Sequence, residues 1–205
     1  MRDRHNVALQ PHAPNGREQT VRQESRISAL AIGILLYQVA ARLAYVIGVG
    51  RALRYQPRTD ADYPQFYRRA SFLMNHDAVA FVALCLITHD SLRVAHRAVL
   101  AVIGVFLIGI GLGVKLWARA AVGSANYYWR DFFGQPPPPR ELGGPYRFLN
   151  SPMYTVGNLH LWGIALAAAS LPGLIAAAFA HAAILVFNHV VEQPQVRMMY
   201  GGGGT

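Results

Sequence analysis

The 205-residue chain is 53% hydrophobic and only 14% charged, with a mean hydropathy of +0.23 and its apolar residues gathered in blocks, a composition that excludes an ordinary soluble domain. The formal charge is +9, and every basic residue except Lys115 is arginine; the apolar blocks direct that charge to anionic lipid headgroups rather than to nucleic acid. A single cysteine, Cys85, excludes both an intrachain disulfide framework and a cysteine metal cluster.

Residues 1–26 are polar without period and read as a poorly ordered tail, not a signal peptide, since no short apolar core lies close to Met1. Residues 27–97 form an N-terminal membrane unit, beginning with Ser28 to Gly50, which is long enough to span. Gln38 and Arg42 interrupt that segment, and packing or snorkelling is the reading for Arg42. Arg51 to Arg69 reads as an aqueous or headgroup loop. Phe72 to Ile87 is the weakest span, because Asn75, His76 and Asp77 interrupt it; these residues read as a helix cap.

Residues 98–205 form the second unit. Ala98 to Val122 is a clear span, with Lys115 and Arg119 placed to snorkel. Gly109 and Gly113 form a small-xxx-small pair suited to helix packing. Tyr127 to Phe133 reads as an interfacial aromatic belt, and Pro136 to Pro139 as a stiff extended spacer. Gly144 to Asn158 is a polar, rigid loop in which Pro145 and Pro152 fix the backbone while Tyr146, Arg147, Asn150, Ser151 and Tyr154 offer a cation and hydrogen-bonding groups. Two apolar stretches follow, split at Leu171-Pro172-Gly173, and read as a hairpin that returns Glu192 to Tyr200 to this loop. The fold class is therefore an all-α integral membrane protein with about four to five transmembrane helices. The distribution of arginine modestly favours the loop side as cytoplasmic, in a bacterial inner membrane or the endoplasmic reticulum.

The ordered set Gly144-Pro145-Tyr146-Arg147-Phe148, Ser151-Pro152-Met153-Tyr154, hydrophobic hairpin and Glu192-Gln193-Pro194 resembles the phospholipid methyltransferase and isoprenylcysteine carboxyl methyltransferase superfamily. Tyr127 to Phe133 and the Pro-Met-Tyr signature bring it nearest the phosphatidylethanolamine N-methyltransferases. The resemblance implies S-adenosylmethionine as cofactor and the amine headgroup of a membrane phospholipid as acceptor. It implies cofactor contacts from Tyr146, Arg147, Pro152, Met153, Tyr154, Gly157 and Glu192, and from the glycines Gly109, Gly111 and Gly113. Many relatives carry a histidine where this chain has Asn150-Ser151, and animal relatives carry a second acid where it has Gln193.

The chemistry of a sulfonium donor suits these residue types. Arg147 can pair with the donor's carboxylate, Glu192 with its ammonium or ribose, and Tyr146 and Tyr154 can face a cation. The acceptor amine must lose a proton, and Glu192 or His189 is the catalytic acceptor; the sequence does not choose between them. His189 and Glu192 lack a third ligand, so no metal is expected. Another methyl acceptor on the same scaffold (a prenylcysteine carboxylate, a thiol or a small amine), a membrane reductase, and a non-catalytic membrane protein are the alternatives. The sequence does not decide between a monomer and a homodimer.

Overall fold

The structure, a computed structural model, describes residues 16–54, 58–134 and 143–200, with side chains from residue 28 to residue 199 among them. The first fifteen residues of the expected tail, the Pro136 to Pro139 spacer and the Gly201 to Thr205 tail lie outside the described residues. From Gly16 the chain is helical, so residues 16–26 join the first helix instead of continuing the tail.

The helices are α1 (Gly16–Arg54), α2 (Tyr63–Ile87), α3 (Arg97–Val122), α4 (Leu159–Ala167), α5 (Leu171–Phe187) and α6 (Gln193–Tyr200). Four segments are long and apolar enough to cross a membrane: Ser28–Arg54, Asp60–Ile87, Arg97–Val122 and Leu171–Met199. Their outward faces are apolar, with Val102, Val105, Phe106 and Leu116 of α3 all exposed, as a lipid-facing surface requires. The protein is thus an all-α membrane bundle.

Two expectations fail together, for one reason. Arg51 to Arg69 is not a continuous loop, because α1 runs to Arg54 and α2 begins at Tyr63 with Pro64 in its first turn. Asn75, His76 and Asp77 are not a cap but lie in the middle of α2. The polar residues that interrupt α1 and α2 compensate one another: Arg42 Nη2 lies 2.7 Å from Asp77 Oδ2, and Gln38 Nε2 donates to Asp77 Oδ1 at 3.1 Å. All three are buried. A charge that is costly alone in an apolar environment is tolerated when a partner on the neighbouring helix neutralises it.

The helix α3 packs along α4, and does so through glycine. A side chain on Gly104 would collide with the backbone of Gly163 and Ala167, and one on Gly111 with the backbone of His160 and Gly157. The pair expected to pack, Gly109 and Gly113, instead faces open space.

At one end of the bundle, Thr88 and Ser170 share a hydrogen bond of 2.6 Å, and Asp90 N–H and Leu92 N–H donate to the carbonyls of Ala168 and Ala169. The hairpin turn is therefore 168–170. Leu171-Pro172-Gly173 is the first turn of α5, capped by Ser170, whose Oγ accepts from Gly173 N–H at 2.8 Å.

The opposite end carries the loops. Because α4 is only 9 residues long, about 14 Å, it falls short of the 26-residue α3, and the 144–158 loop must line the rest of that helix. Gly144 lies against Trp117 and Ala121, and Gly157 against the stem of Lys115. Gly157 thus sits about 10 Å in from the end of α3, so the loop enters the bundle instead of covering it. Nor is the 127–133 segment an interfacial belt: Trp129, Phe132 and Phe133 are buried and form a core with Phe66 of α2 and Phe187 of α5.

Candidate functional site

The centre of the site is a carboxylate inside a helix. Between α5 and α6 the chain makes a π-helical turn, Asn188–Glu192, so that Glu192 lies within one continuous helical run from Leu171 to Tyr200 and not after its end, as the sequence suggested. Such wide turns shift side-chain register and occur often at functional positions. Here the turn presents Asn188 and Glu192 to the 144–158 loop. Asn188 Nδ2 donates to Ser151 Oγ at 2.9 Å, and Tyr154 Oη donates to Glu192 Oε2 at 2.5 Å. The expected meeting of loop and C-terminal segment is borne out by these contacts.

A second donor approaches Glu192 from a residue that the sequence placed in the interfacial belt and not at the site. The Trp129 indole N–H lies near it as a further neutral donor. Trp129 takes a left-handed backbone conformation, φ 55°, unusual for a bulky residue and held by its ring contacts with Phe66 and Phe187. Burial, followed by the adjacent Glu192 charge, pushes the Tyr154 hydroxyl well above the ordinary tyrosine range, so it remains a donor. Among the described residues no basic group forms an ion pair with Glu192; only neutral donors hold it.

Glu192 borders a cavity of ≈ 440 Å³ whose lining includes Tyr146, Ser151, Met153, Tyr154 and Arg197. The Tyr146 hydroxyl is buried there with no hydrogen-bond partner. Behind Met153 and Tyr154, which line both, lies a second cavity of ≈ 210 Å³ bordered by Arg42, Asp77, Lys115, His160, Tyr127 and Trp129. His160 Nδ1 lies 2.6 Å from the Gly157 carbonyl.

Of the residues singled out from the sequence, Tyr146, Met153, Tyr154 and Glu192 converge on the first cavity. Pro152 is fully buried beneath it, and Gly157 is where a side chain would strike Lys115 and the Pro152 carbonyl. Arg147 and His189 are exposed and border neither cavity. Gly109 and Gly113 face open space and Gly111 packs on α4, so the structure brings none of the three to a cavity. The cation that does border the Glu192 cavity is Arg197, the only basic residue in 192–200, which was the available signal. Lys115, expected to snorkel outward, turns into the second cavity.

A cofactor bearing an ammonium, a carboxylate, a sulfonium and a purine needs an anion, a cation, aromatic or apolar walls and spare hydrogen-bonding groups. Glu192 without a basic partner, Arg197, Met153 and Val196, and the unsatisfied Tyr146 hydroxyl provide that set. The residues present therefore fit S-adenosylmethionine.

Residues 99–203 match the phospholipid methyltransferase family model, from the third residue of α3 to near the end of the chain. Similar relatives are the phosphatidylethanolamine N-methyltransferases of Pyricularia oryzae (33% identical over 58% of this chain), Chaetomium globosum (36% over 48%) and Meyerozyma guilliermondii (33% over 51%). The chain spans only 10 to 12% of the length of these relatives. No solved structure matches the chain significantly. The family match covers over half of the chain, and the match, the continuous hairpin and the loop that meets it are of one piece: the chain belongs to the phospholipid methyltransferase family.

Proposed function

We propose that the protein is an S-adenosylmethionine-dependent N-methyltransferase acting on the amine headgroup of phosphatidylethanolamine. The observation that carries this reading is the placement of Glu192 and Tyr154. A carboxylate held by neutral donors faces the cavity that fits the cofactor, and the tyrosine that donates to it also borders the second cavity.

When bound, S-adenosylmethionine supplies an electrophilic methyl group on a sulfonium, whose C–S electron pair returns to sulfur as the N–C bond forms. Glu192 and Arg197 would hold its charged ends, and Tyr146 and Met153 its walls. The chain's own task is to orient the amine and remove its proton. Orientation alone is worth about 7 to 11 kcal/mol of barrier in favourable cases. Tyr154 accepts a hydrogen bond from the amine on one side and donates to Glu192 on the other. As nitrogen loses its proton to the Tyr154 oxygen, the phenolic proton passes to Glu192, so no net charge is created on tyrosine. His189, exposed and away from both cavities, takes no part.

The loop end carries Arg51, Arg54, Arg58, Arg68, Arg69, Arg119, Arg130, Arg147 and Arg197 against Arg17, Arg22, Arg26, Arg93 and Arg97 toward the other end, preceded in the chain by Arg2 and Arg4, and this modest excess supports a cytoplasmic orientation for the site. The test is reconstitution of the full chain in phosphatidylethanolamine liposomes with S-adenosylmethionine, reading methylated lipid by mass spectrometry beside calorimetric cofactor binding. Methylated lipid is expected. Cofactor binding without lipid methylation moves the acceptor elsewhere, and absence of both overturns the reading.

A further inference from the structure

Six of the sixteen residues that line the second cavity lie outside the family match. Arg42 and Tyr45 come from α1, and Met74, Asn75, Asp77 and Ala78 from α2. It carries two cations, Arg42 and Lys115, against one carboxylate, Asp77, and Asp77 is already engaged by Arg42 and Gln38. Arg42 is itself 6% exposed, and its Nε is buried with no partner. Lys115, the only lysine in the chain, makes no hydrogen bond or ion pair among the described residues, while its stem rests on Gly157. A surplus cation and an idle buried N–H donor call for an anion of tetrahedral oxygens.

The lining is also rich in aromatic rings: Tyr127, Tyr128, Trp129 and Tyr154, with Tyr45 lying under the Arg42 guanidinium at 5.6 Å. Such a lining favours an ammonium. The cavity therefore offers complementary sites for the two charges of a zwitterion. Its mouth faces the membrane side. Asn75 and Ala78 are exposed on α2, among Phe72, Val79 and Val82, which form an apolar outer face, while α3 packs on α4 and not on α2.

Resting on the methyltransferase reading, we infer that this cavity is the acceptor site: it takes the phosphodiester of a zwitterionic phospholipid on Lys115 and Arg42 Nε, entering between α2 and α3. The ammonium then lies against the Tyr127 to Trp129 wall and reaches Tyr154. Lys115 and Arg42 are the residues that read the phosphate, and they do so from helices on both sides of the family boundary.

The experiment uses the full chain in detergent micelles with dihexanoylphosphatidylethanolamine, reading lipid retention by native mass spectrometry and separate KM values for lipid and S-adenosylmethionine. Wild type is expected to retain this lipid and not dihexanoylglycerol, and free inorganic phosphate is expected not to displace it. Lys115→Gln is expected to raise the lipid KM about tenfold or more, as loss of a charge-assisted contact does, with the cofactor KM unchanged. Ala78→Trp, on an exposed face where folding tolerates it, obstructs the mouth and is expected to do the same; it decides the matter if Lys115→Gln gives no cooperative melt. An unchanged lipid KM in the folded variants, a rise confined to the cofactor KM, or displacement by inorganic phosphate would overturn the assignment. A wild type that retains the lipid through Lys115 but methylates nothing removes the methyltransferase reading and leaves the pocket. One that methylates the lipid without regard to Lys115 does the reverse.

Discussion

Two carboxylates face the interior of this bundle, Asp77 fully buried and Glu192 half-buried, and they are held in opposite ways. Asp77 has a guanidinium at 2.7 Å and an amide donor, so its charge is answered within the protein. Glu192 has a phenol and an indole but no cation among the described residues. The first arrangement joins two helices. The second leaves an anion whose partner must come from outside, which is what a binding site for a cationic ligand requires.

The sharpest way to test that contrast is to neutralise each acid. Asp77→Ala leaves Arg42 buried and unpaired, and should cost about 3 to 5 kcal/mol of stability, read as a lowered thermal midpoint in detergent. A loss below about 1 kcal/mol would show that Asp77 is not the structural partner proposed. Next in size is the glycine seam. Gly111→Leu forces a side chain into the α4 backbone and should cost about 1 to 3 kcal/mol or more. Gly109→Ala and Gly113→Ala meet nothing and should be neutral or stabilising by up to about 1 kcal/mol, with methyl transfer intact. Lost cofactor binding in those two would restore the role expected from the family resemblance.

Tyr154→Phe removes the hydroxyl between the cavities while keeping the ring. It should lower kcat by about 10²-fold or more, the scale of a positioned proton-transfer group, with less effect on cofactor affinity. The smallest effect is with pH. The folded-state Tyr154 hydroxyl is raised above its unfolded value by burial and by Glu192, so its contribution to stability is full below the ordinary tyrosine range, near pH 10, and is lost only as pH rises further. Melting between pH 7 and 9 should therefore show no step that Tyr154→Phe removes; such a step would contradict the assigned hydrogen bond.

The parts legible in the sequence were those written in local order. The helical spans, the loop from Gly144 to Asn158 and its meeting with Glu192 follow from apolar blocks and a short turn, and the structure joins Tyr154 to Glu192 as that layout requires. What escaped depends on pairs far apart in the chain. Asn75, His76 and Asp77 read as a cap because the partners of His76 and Asp77, Tyr37 and Arg42, lie on α1, where Arg42, 35 residues before Asp77, in turn read as a snorkelling defect. Trp129 read as a belt residue because aromatic clusters beside apolar helices usually lie at the interface, yet ring packing with Phe66 and Phe187 pulls it inside. Lys115 read as snorkelling because only the shortness of α4, which admits the loop to its level, gives it an interior cavity to face.

The most direct test sets Glu192→Gln beside wild type, measuring the thermal midpoint without ligand and methyl transfer to phosphatidylethanolamine. Glutamine keeps the shape and one acceptor while removing a half-buried charge that has no cationic partner among the described residues. The account predicts a midpoint at least as high as wild type together with transfer reduced by about 10²-fold or more. A lowered midpoint with transfer retained would make Glu192 a second Asp77, a structural acid, and would contradict the account.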